Sequence, residues 1–561
     1  MARLLPSFVS MRESQLNDLR EVAFPALDDA QMAALGRCAG ASLKRYQDGE
    51  KLIEVGARDF SFFVVKSGEI EVRDESVEPP KLLATLGRGQ FTGDVSHLTG
   101  GPSLVSAVAR GECLVYEVPP GGVHEILSRF PELGDLILQS FIARRQLLRK
   151  PEHFTGPRVI GSRYSRDTLR VLDFLSRNRV PFTWLDLETD PQADQLLKRF
   201  GVSEAETPVV AWSKLVLRNP SDRELAEALG IRRPLEHALY DLVVVGAGPA
   251  GLGAAVYAAS EGLNTAVLER TGPGGQASRS MRIENYLGFP TGVSGAELAE
   301  RAVVQAGKFG ARLAVATPVT ALSFESSYPV LRLDGGETVT AKCLLIATGA
   351  DYRRLPAEGC ERFEGCGVYY AATLTEAPVC READVVVVGG GNSAGQAVVF
   401  LAGMARRVYL VVRGDDLYAN MSAYLARRIE QASNVEVLLD HEVRRMAGDG
   451  HLHSVEVVNR RTGEVRTLRT AALFSFIGAV PRTDWLPPEI EKDPDDFIRT
   501  GTSMAQSPRW PARRPPFLLE TSRPGVFAAG DVRAGSIKRV ASAVGEGAMV
   551  VAFVHEYLKE I

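Results

Sequence analysis

The chain has 561 residues, 45% hydrophobic and 24% charged, with a net charge of −4. That length argues for several domains, and the charge excludes a dominant nucleic-acid or membrane-binding surface. No apolar run approaches the roughly 18 residues of a membrane span, and the charge-broken N-terminus has no signal-peptide core, so a cytoplasmic protein is expected. The six cysteines (38, 113, 343, 360, 366 and 380) form no Cys-x-x-Cys pair and no zinc-type cluster.

Residues 42–118 alternate with period two between glycine turns, which predicts many short strands, and "HEILSRFPELGDLILQSFIARRQLLRK" closes the unit as helix. "DGEKLIEVG", "FFVVKSGEIEV" and "FTGDVSHLTGGPSLVSAVA" resemble the cyclic-nucleotide-binding domain of catabolite-activator type, which implies a β-roll over residues 1–155. The third stretch falls where that family's phosphate-binding cassette lies. Gly93 and Asp94 are its candidate ligand residues, Asp94 taking the place of the glutamate that binds ribose. Ser103 stands where an arginine would hold the cyclic phosphate, so the charge-assisted partner is lost. A cyclic nucleotide and an interaction or dimerisation role both remain open. No helix-turn-helix follows.

Residues 156–235 read strand, helix, strand, helix, strand, strand, helix. The stretch "ETPVVAW", with Pro208 where such proteins carry a cis proline, resembles glutaredoxin and thioredoxin domains. The first helix opens on Ser165-Arg166-Asp167-Thr168. Serine and threonine start helices well but cannot exchange with disulfides, so a spacer or docking role is expected.

"YDLVVVGAGPAGLGAAVYAASEGLNTAVLER" is a strand, a Gly-x-Gly-x-x-Gly turn (Gly246, Gly248, Gly251), an Ala-rich helix and a second strand ending at Glu269. The first glycine permits the turn, the second lets backbone approach a pyrophosphate, and the third lets helix pack on strand; the acid can bind ribose hydroxyls. "ADVVVVGGGNSAGQAVVFLAGMARRVYLVVRG" repeats the pattern at Gly389, Gly391 and Ala394, with Asn392 and Ser393 opening the helix. Its second strand ends in Val412-Arg413 rather than in an acid. An arginine there can pair with a 2′-phosphate, so the first site suits FAD and the second NADPH, with NADH as the alternative. Near the C-terminus a buried strand ends in Gly530-Asp531 and a small-residue helix starts near Val540. A carboxylate there can bind a ribityl hydroxyl, and the helix start can face the reduced flavin ring.

Together "GAGPAG", "ER…GPGGQ", "IENYLGFP", "ATGA", "GGGNSA" and "GDV…KRVASAVGEG" resemble low-molecular-weight thioredoxin reductases over residues 240–561. The resemblance implies an FAD domain (236–352 and 481–561) interrupted by an NAD(P)H domain (353–480). It also implies FAD contacts at Gly275, Gln276, Asn285, Asp531, Arg539 and Val540, and a homodimer. The family's dithiol belongs at 371–374, where this chain has Ala-Ala-Thr-Leu. Without thiolates there is neither a nucleophile for a disulfide nor an internal two-electron store.

The expected architecture is therefore multidomain: an N-terminal β-roll, a central α/β thioredoxin-like module and a C-terminal α/β two-dinucleotide-binding, Rossmann-type flavoprotein. The expected function is an FAD-dependent NAD(P)H oxidoreductase that passes electrons directly from flavin to an acceptor, with no side chain assigned a catalytic role. A flavin-based sensor with little turnover and a thioredoxin-disulfide reductase with relocated thiols are the alternatives.

Overall fold

The computed structural model describes residues 18–561 apart from 38–39, 78, 149–155, 213–214, 236–238, 326, 374–375 and 506. In the N-terminal part, strands Ser42–Tyr46, Lys51–Ile53, Phe62–Asp74, Lys81–Leu86 and Ser106–Val118 form one antiparallel sheet, with Ser106–Val118 and Phe62–Asp74 at its centre. The run Phe62–Val65 is wholly buried because it faces both the roll interior and the helices Gly122–Arg129 and Pro131–Leu148. His97 belongs to this core, its ring 5.6 Å from Phe141 and 4.4 Å from Phe60. Burial pushes its imidazole down to about 4. An unfolded histidine titrates near 6.5, so protons favour the unfolded chain below that pH. Stability is thus expected to fall as pH drops from about 6.5 through about 4. The Tm of a His97→Phe variant should lack that slope; an unchanged slope would refute the assignment.

Residues 158–228 build a second sheet from Arg158–Gly161, Thr183–Asp186, Val209–Trp212 and Leu215–Arg218. The first two strands are parallel and the others antiparallel, in spatial order second, first, third, fourth. Helix Arg166–Arg177 buries Leu169, Leu172 and Leu175 on one face, and its Ser165 hydroxyl caps Thr168 N at 3.3 Å. The Thr207–Pro208 peptide is cis.

The C-terminal half carries two further sheets, one mixed and one parallel, whose central parallel strands are rich in buried valine and leucine, as burial on both faces requires. The first is centred on Leu239–Val245 between Thr265–Leu268 and Thr338–Ile346, with Val526–Ala528 returning to pair Thr338–Ile346. The second orders Val368–Tyr369, Ala472–Ser475, Asp384–Val388, Arg407–Val411 and Val435–Leu438. Two short strands, Ala350–Tyr352 and Ala479–Pro481, pair antiparallel where the chain leaves the first sheet and comes back to it. Helices Pro249–Ser260 and Val540–Leu558 cross so closely that a Cβ on Gly547 would lie 2.0 Å from the Ala250 carbonyl. Helix Gly295–Lys308 turns its other end to the β-roll: His124 Nε2 lies 2.9 Å from Gly307 O, and Val304 joins the β-roll core.

Candidate functional site

The first glycine turn is shaped by contacts that tolerate no side chain. Gly246 has φ +104°, and a Cβ there would lie 2.4 Å from Ala347 O; a Cβ on Gly251 would lie 1.9 Å from Gly246 O. Gly248 differs. Its Cβ would meet only Gly275 Cα, at 3.9 Å, so the space before the N-terminus of helix Pro249–Ser260 is clear. Open space facing unpaired helix N–H groups is what a pyrophosphate requires.

Around that turn, Glu269 is buried and accepts Ala247 N (2.8 Å), Thr271 N (3.0 Å) and Gly272 N (3.2 Å). Gly275 backs onto Gly248, and Gln276 holds a buried Oε1 with no hydrogen-bond partner. Asp531 is half-buried with its carboxyl held above the usual range by desolvation. Arg539 caps the start of helix Val540–Leu558 from an exposed position, with Val540 half-buried beside it, and Asn285 is exposed on the 284–292 loop. The orphaned Gln276 acceptor and the clear cradle at Gly248 fit a dinucleotide carrying a hydrogen-bonding ring.

The second turn is a copy with the same division of labour. Gly389 has φ +138° and would place a Cβ 2.5 Å from Phe476 O, whereas nothing lies within 4 Å of a Cβ on Gly391. Asn392 Oδ1 accepts Ser422 N (2.7 Å), and Ala394 is buried at the helix–strand contact. Arg413 is exposed at the end of Arg407–Val411. Sequence reading missed its neighbours Arg460 and Arg461, which come from the turn after strand His451–Asn459. Arg460 donates to Arg413 O (3.2 Å), and Arg461 pairs with Asp415 (3.0 Å).

A cavity of about 330 Å³ is lined by Gln276, Tyr352, Ala371, Ala372, Ser393 and Phe476. Arg428 bridges to Glu284 (2.8 Å) across it. Ala371 and Ala372 are buried and present methyl groups to it; Leu374 lies outside the described residues. Cys113, Cys343, Cys360, Cys366 and Cys380 are all free, and Cys38 lies outside the described residues. Burial raises all five thiols, Cys380 to about 12, which keeps them protonated and poorly nucleophilic.

Sequence reading also missed the central unit's place in the site. Arg177 donates to Gly272 O (2.8 Å), Asn178 to Thr271 O (2.9 Å), and Arg179 to Ala296 O. Asp173 pairs with Arg279 (2.7 Å), so helix Arg166–Arg177 forms a wall over the segment after Glu269. Its opening also meets the second nucleotide unit: Tyr164 stacks on His451 at 4.5 Å, and Arg166 packs on Gly365. These contacts join residues that are mostly about a hundred or more positions apart and have no local sequence signature.

In the β-roll, Gly93 and Asp94 come together but are engaged by the protein. Gly93 O accepts Arg144 Nη1 (2.7 Å), Asp94 Oδ1 accepts Ser96 N (2.8 Å), and Asp94 Oδ2 pairs with Arg145 (2.7 Å). The Ser103 hydroxyl donates to Val105 O (2.7 Å). Among the described residues no helix is long and apolar enough to cross a membrane, and no group of three or more His, Cys, Asp or Glu is placed to hold a metal ion.

Two sheets built around parallel strands, each with a matched glycine cradle at the end of its central strand, define the class of two-nucleotide-site flavoprotein oxidoreductases. The pattern of the pyridine nucleotide-disulphide oxidoreductases matches residues 240–547, and the chain belongs to that family. A cyclic nucleotide-binding domain matches residues 43–130. The thioredoxin reductase of Treponema pallidum is 36% identical over 319 residues, 57% of this chain and 97% of that protein. A 34.2 kDa protein in the rubredoxin operon of Clostridium pasteurianum is 32% identical over 318 residues, again 57% and 97%. Among solved structures, the thioredoxin reductase of Lactococcus lactis in its FR conformation superposes with TM-score 0.52 at 28% identity, covering 57% of this chain and all of that one. The chain is thus a thioredoxin reductase-like flavoprotein oxidoreductase with a cyclic nucleotide-binding domain at its N-terminal end.

Proposed function

We propose that the chain is an FAD-dependent NAD(P)H oxidoreductase that delivers electrons to its acceptor without a protein dithiol. Bound FAD supplies the two-electron chemistry, taking hydride from the nicotinamide and reducing the acceptor. The chain's own residues do the holding. Gly246, Gly248 and Gly251 seat the FAD pyrophosphate, Glu269 the adenosine end, and Gln276 and Asp531 the ring and ribityl end, with Gly275, Asn285, Arg539 and Val540 completing the site. Gly389, Gly391, Asn392, Ser393 and Ala394 seat the coenzyme, whose 2′-phosphate faces Arg413. In this reading residues 236–352 with 481–561 hold FAD, 353–480 hold NADPH, and 1–155 and the thioredoxin-like 156–235 regulate or recruit; the assembly is a homodimer.

The observation that carries the reading is the pair of buried methyl groups, Ala371 and Ala372, lining the cavity between Gln276 and Ser393. The five described thiols are all held protonated, so none is poised to take the dithiol's place.

Anaerobic reductive titration tests this directly. The protein is expected to take up about two electrons per FAD, and exhaustive alkylation after prereduction should leave both that count and NADPH-linked turnover unchanged. Uptake of about four electrons, or turnover abolished by alkylation, would require a disulfide relay.

A further inference from the structure

The β-roll contains a cavity of about 240 Å³ whose wall is mainly apolar, including Ile53, Phe60, Val72, Leu86, Leu104 and Leu147. Arg144, from helix Pro131–Leu148, forms part of that wall and is 7% exposed. Its Nε donates to Ala23 O and its Nη1 to Gly93 O, both at 2.7 Å, while Nη2 has no partner. The guanidinium lies over the rings of Phe24 (5.1 Å) and Phe91 (4.7 Å). Asp94, the nearby carboxylate, is paired with Arg145 instead, at 2.7 Å. Arg144 is therefore a buried cation with no ion-pair partner in contact among the described residues, and burial pushes it down to about 9 against the weaker opposite pull of the Asp94 carboxylate. Such a charge is costly unless something of opposite sign reaches it.

The same geometry disfavours a cyclic nucleotide. The candidate ribose acceptor and the residue in the phosphate position are both hydrogen-bonded within the protein. What remains is a mainly apolar chamber with the buried, unpaired Arg144 in its wall, the exposed Arg20 and Lys81 also lining it.

We propose that this cavity binds an amphipathic monoanion, an unbranched apolar body ending in one carboxylate or phosphate group, with Arg144 as the anion receptor. The head group would supply the missing acceptor for Nη2 and the missing countercharge, and the apolar body would displace water from the aliphatic wall.

The test is calorimetric titration of the full-length holoprotein with decanoate, decyl phosphate, decanol and cyclic AMP. Decanoate or decyl phosphate should bind, and whichever binds more tightly identifies the head group. Decanol, which lacks the charge, should bind at least about 10-fold more weakly, the factor expected for a lost charge-assisted hydrogen bond. Arg144→Met should weaken the anion by a similar factor. Because Arg144 also ties Ala23 to Gly93, near-UV circular dichroism must show that variant folded. Val72→Trp, which blocks the cavity from a half-buried strand position and leaves Arg144 in place, is the second variant and should abolish binding. The assignment is overturned if neither anion binds, if decanol matches them, if cyclic AMP binds more tightly than both, or if binding survives in folded Val72→Trp.

Discussion

Gly248→Val is expected to give a folded protein that purifies without flavin. The backbone at Gly248 has φ −74° and ψ −175°, an extended conformation that valine adopts readily. A Cβ there touches no protein atom closer than 3.9 Å, so the substitution costs the empty scaffold little. The isopropyl group would instead fill the space before the helix N-terminus that a pyrophosphate needs. FAD affinity should drop at least about 100-fold, equivalent to about 2.8 kcal/mol. The readouts are the flavin-to-protein absorbance ratio of the purified variant and its Tm beside that of wild-type protein stripped of flavin. Gly251→Ala is the contrast: its Cβ would lie 1.9 Å from Gly246 O, so it should damage the fold itself. Flavin retained at the wild-type ratio in Gly248→Val would remove the cradle from the proposed site.

The two glycine turns were legible because each position answers to a local constraint. Gly246 and Gly389 must adopt positive φ against a neighbouring carbonyl, and Gly251 must let a helix reach its own strand. The helix starting at Val540 and the order of elements over 158–228 were legible for the same reason, since periodicity and caps act within a few residues. The cassette was not. Its position in "FTGD" marks Asp94 as a candidate acceptor, but nothing near it shows that Arg145, more than fifty residues away on another element, pairs with it. Arg144, Arg177 and Arg460 share that history: each acquires its place from tertiary packing, and an arginine in a polar helix or turn carries no mark of where its guanidinium will end. Long-range pairing of charged side chains was therefore hidden from the sequence, while local backbone geometry was displayed in it.

Arg413→Glu should convert the second site from NADPH to NADH preference. Arg413 stands at the end of the second strand after the Gly389 turn, where an adenosine ribose 2′ position falls in this fold. Its side chain is exposed, so it can turn to an incoming phosphate. Of its neighbours, Arg461 is paired with Asp415 and Asp440, and Arg460 with Glu442, so the protein's own carboxylates already oppose much of that positive charge. A charge-assisted arginine–phosphate contact contributes about 1.5–3 kcal/mol, and reversal of the charge adds repulsion. The NADPH concentration for half-maximal flavin bleaching should therefore rise about 10- to 100-fold. NADH has no 2′-phosphate to repel, and a carboxylate can accept from its ribose hydroxyl, so its value should stay level or fall. Because the site is solvent-exposed, the wild-type preference for NADPH should shrink as salt rises from about 0.01 M to 1 M, and the variant's penalty should shrink with it. Stopped-flow reduction with each coenzyme, across that salt range, separates the contributions. An equal change for both coenzymes would mean that Arg413 acts through the fold of the strand end, and the 2′-phosphate contact would then have to come from Arg460 or Arg461.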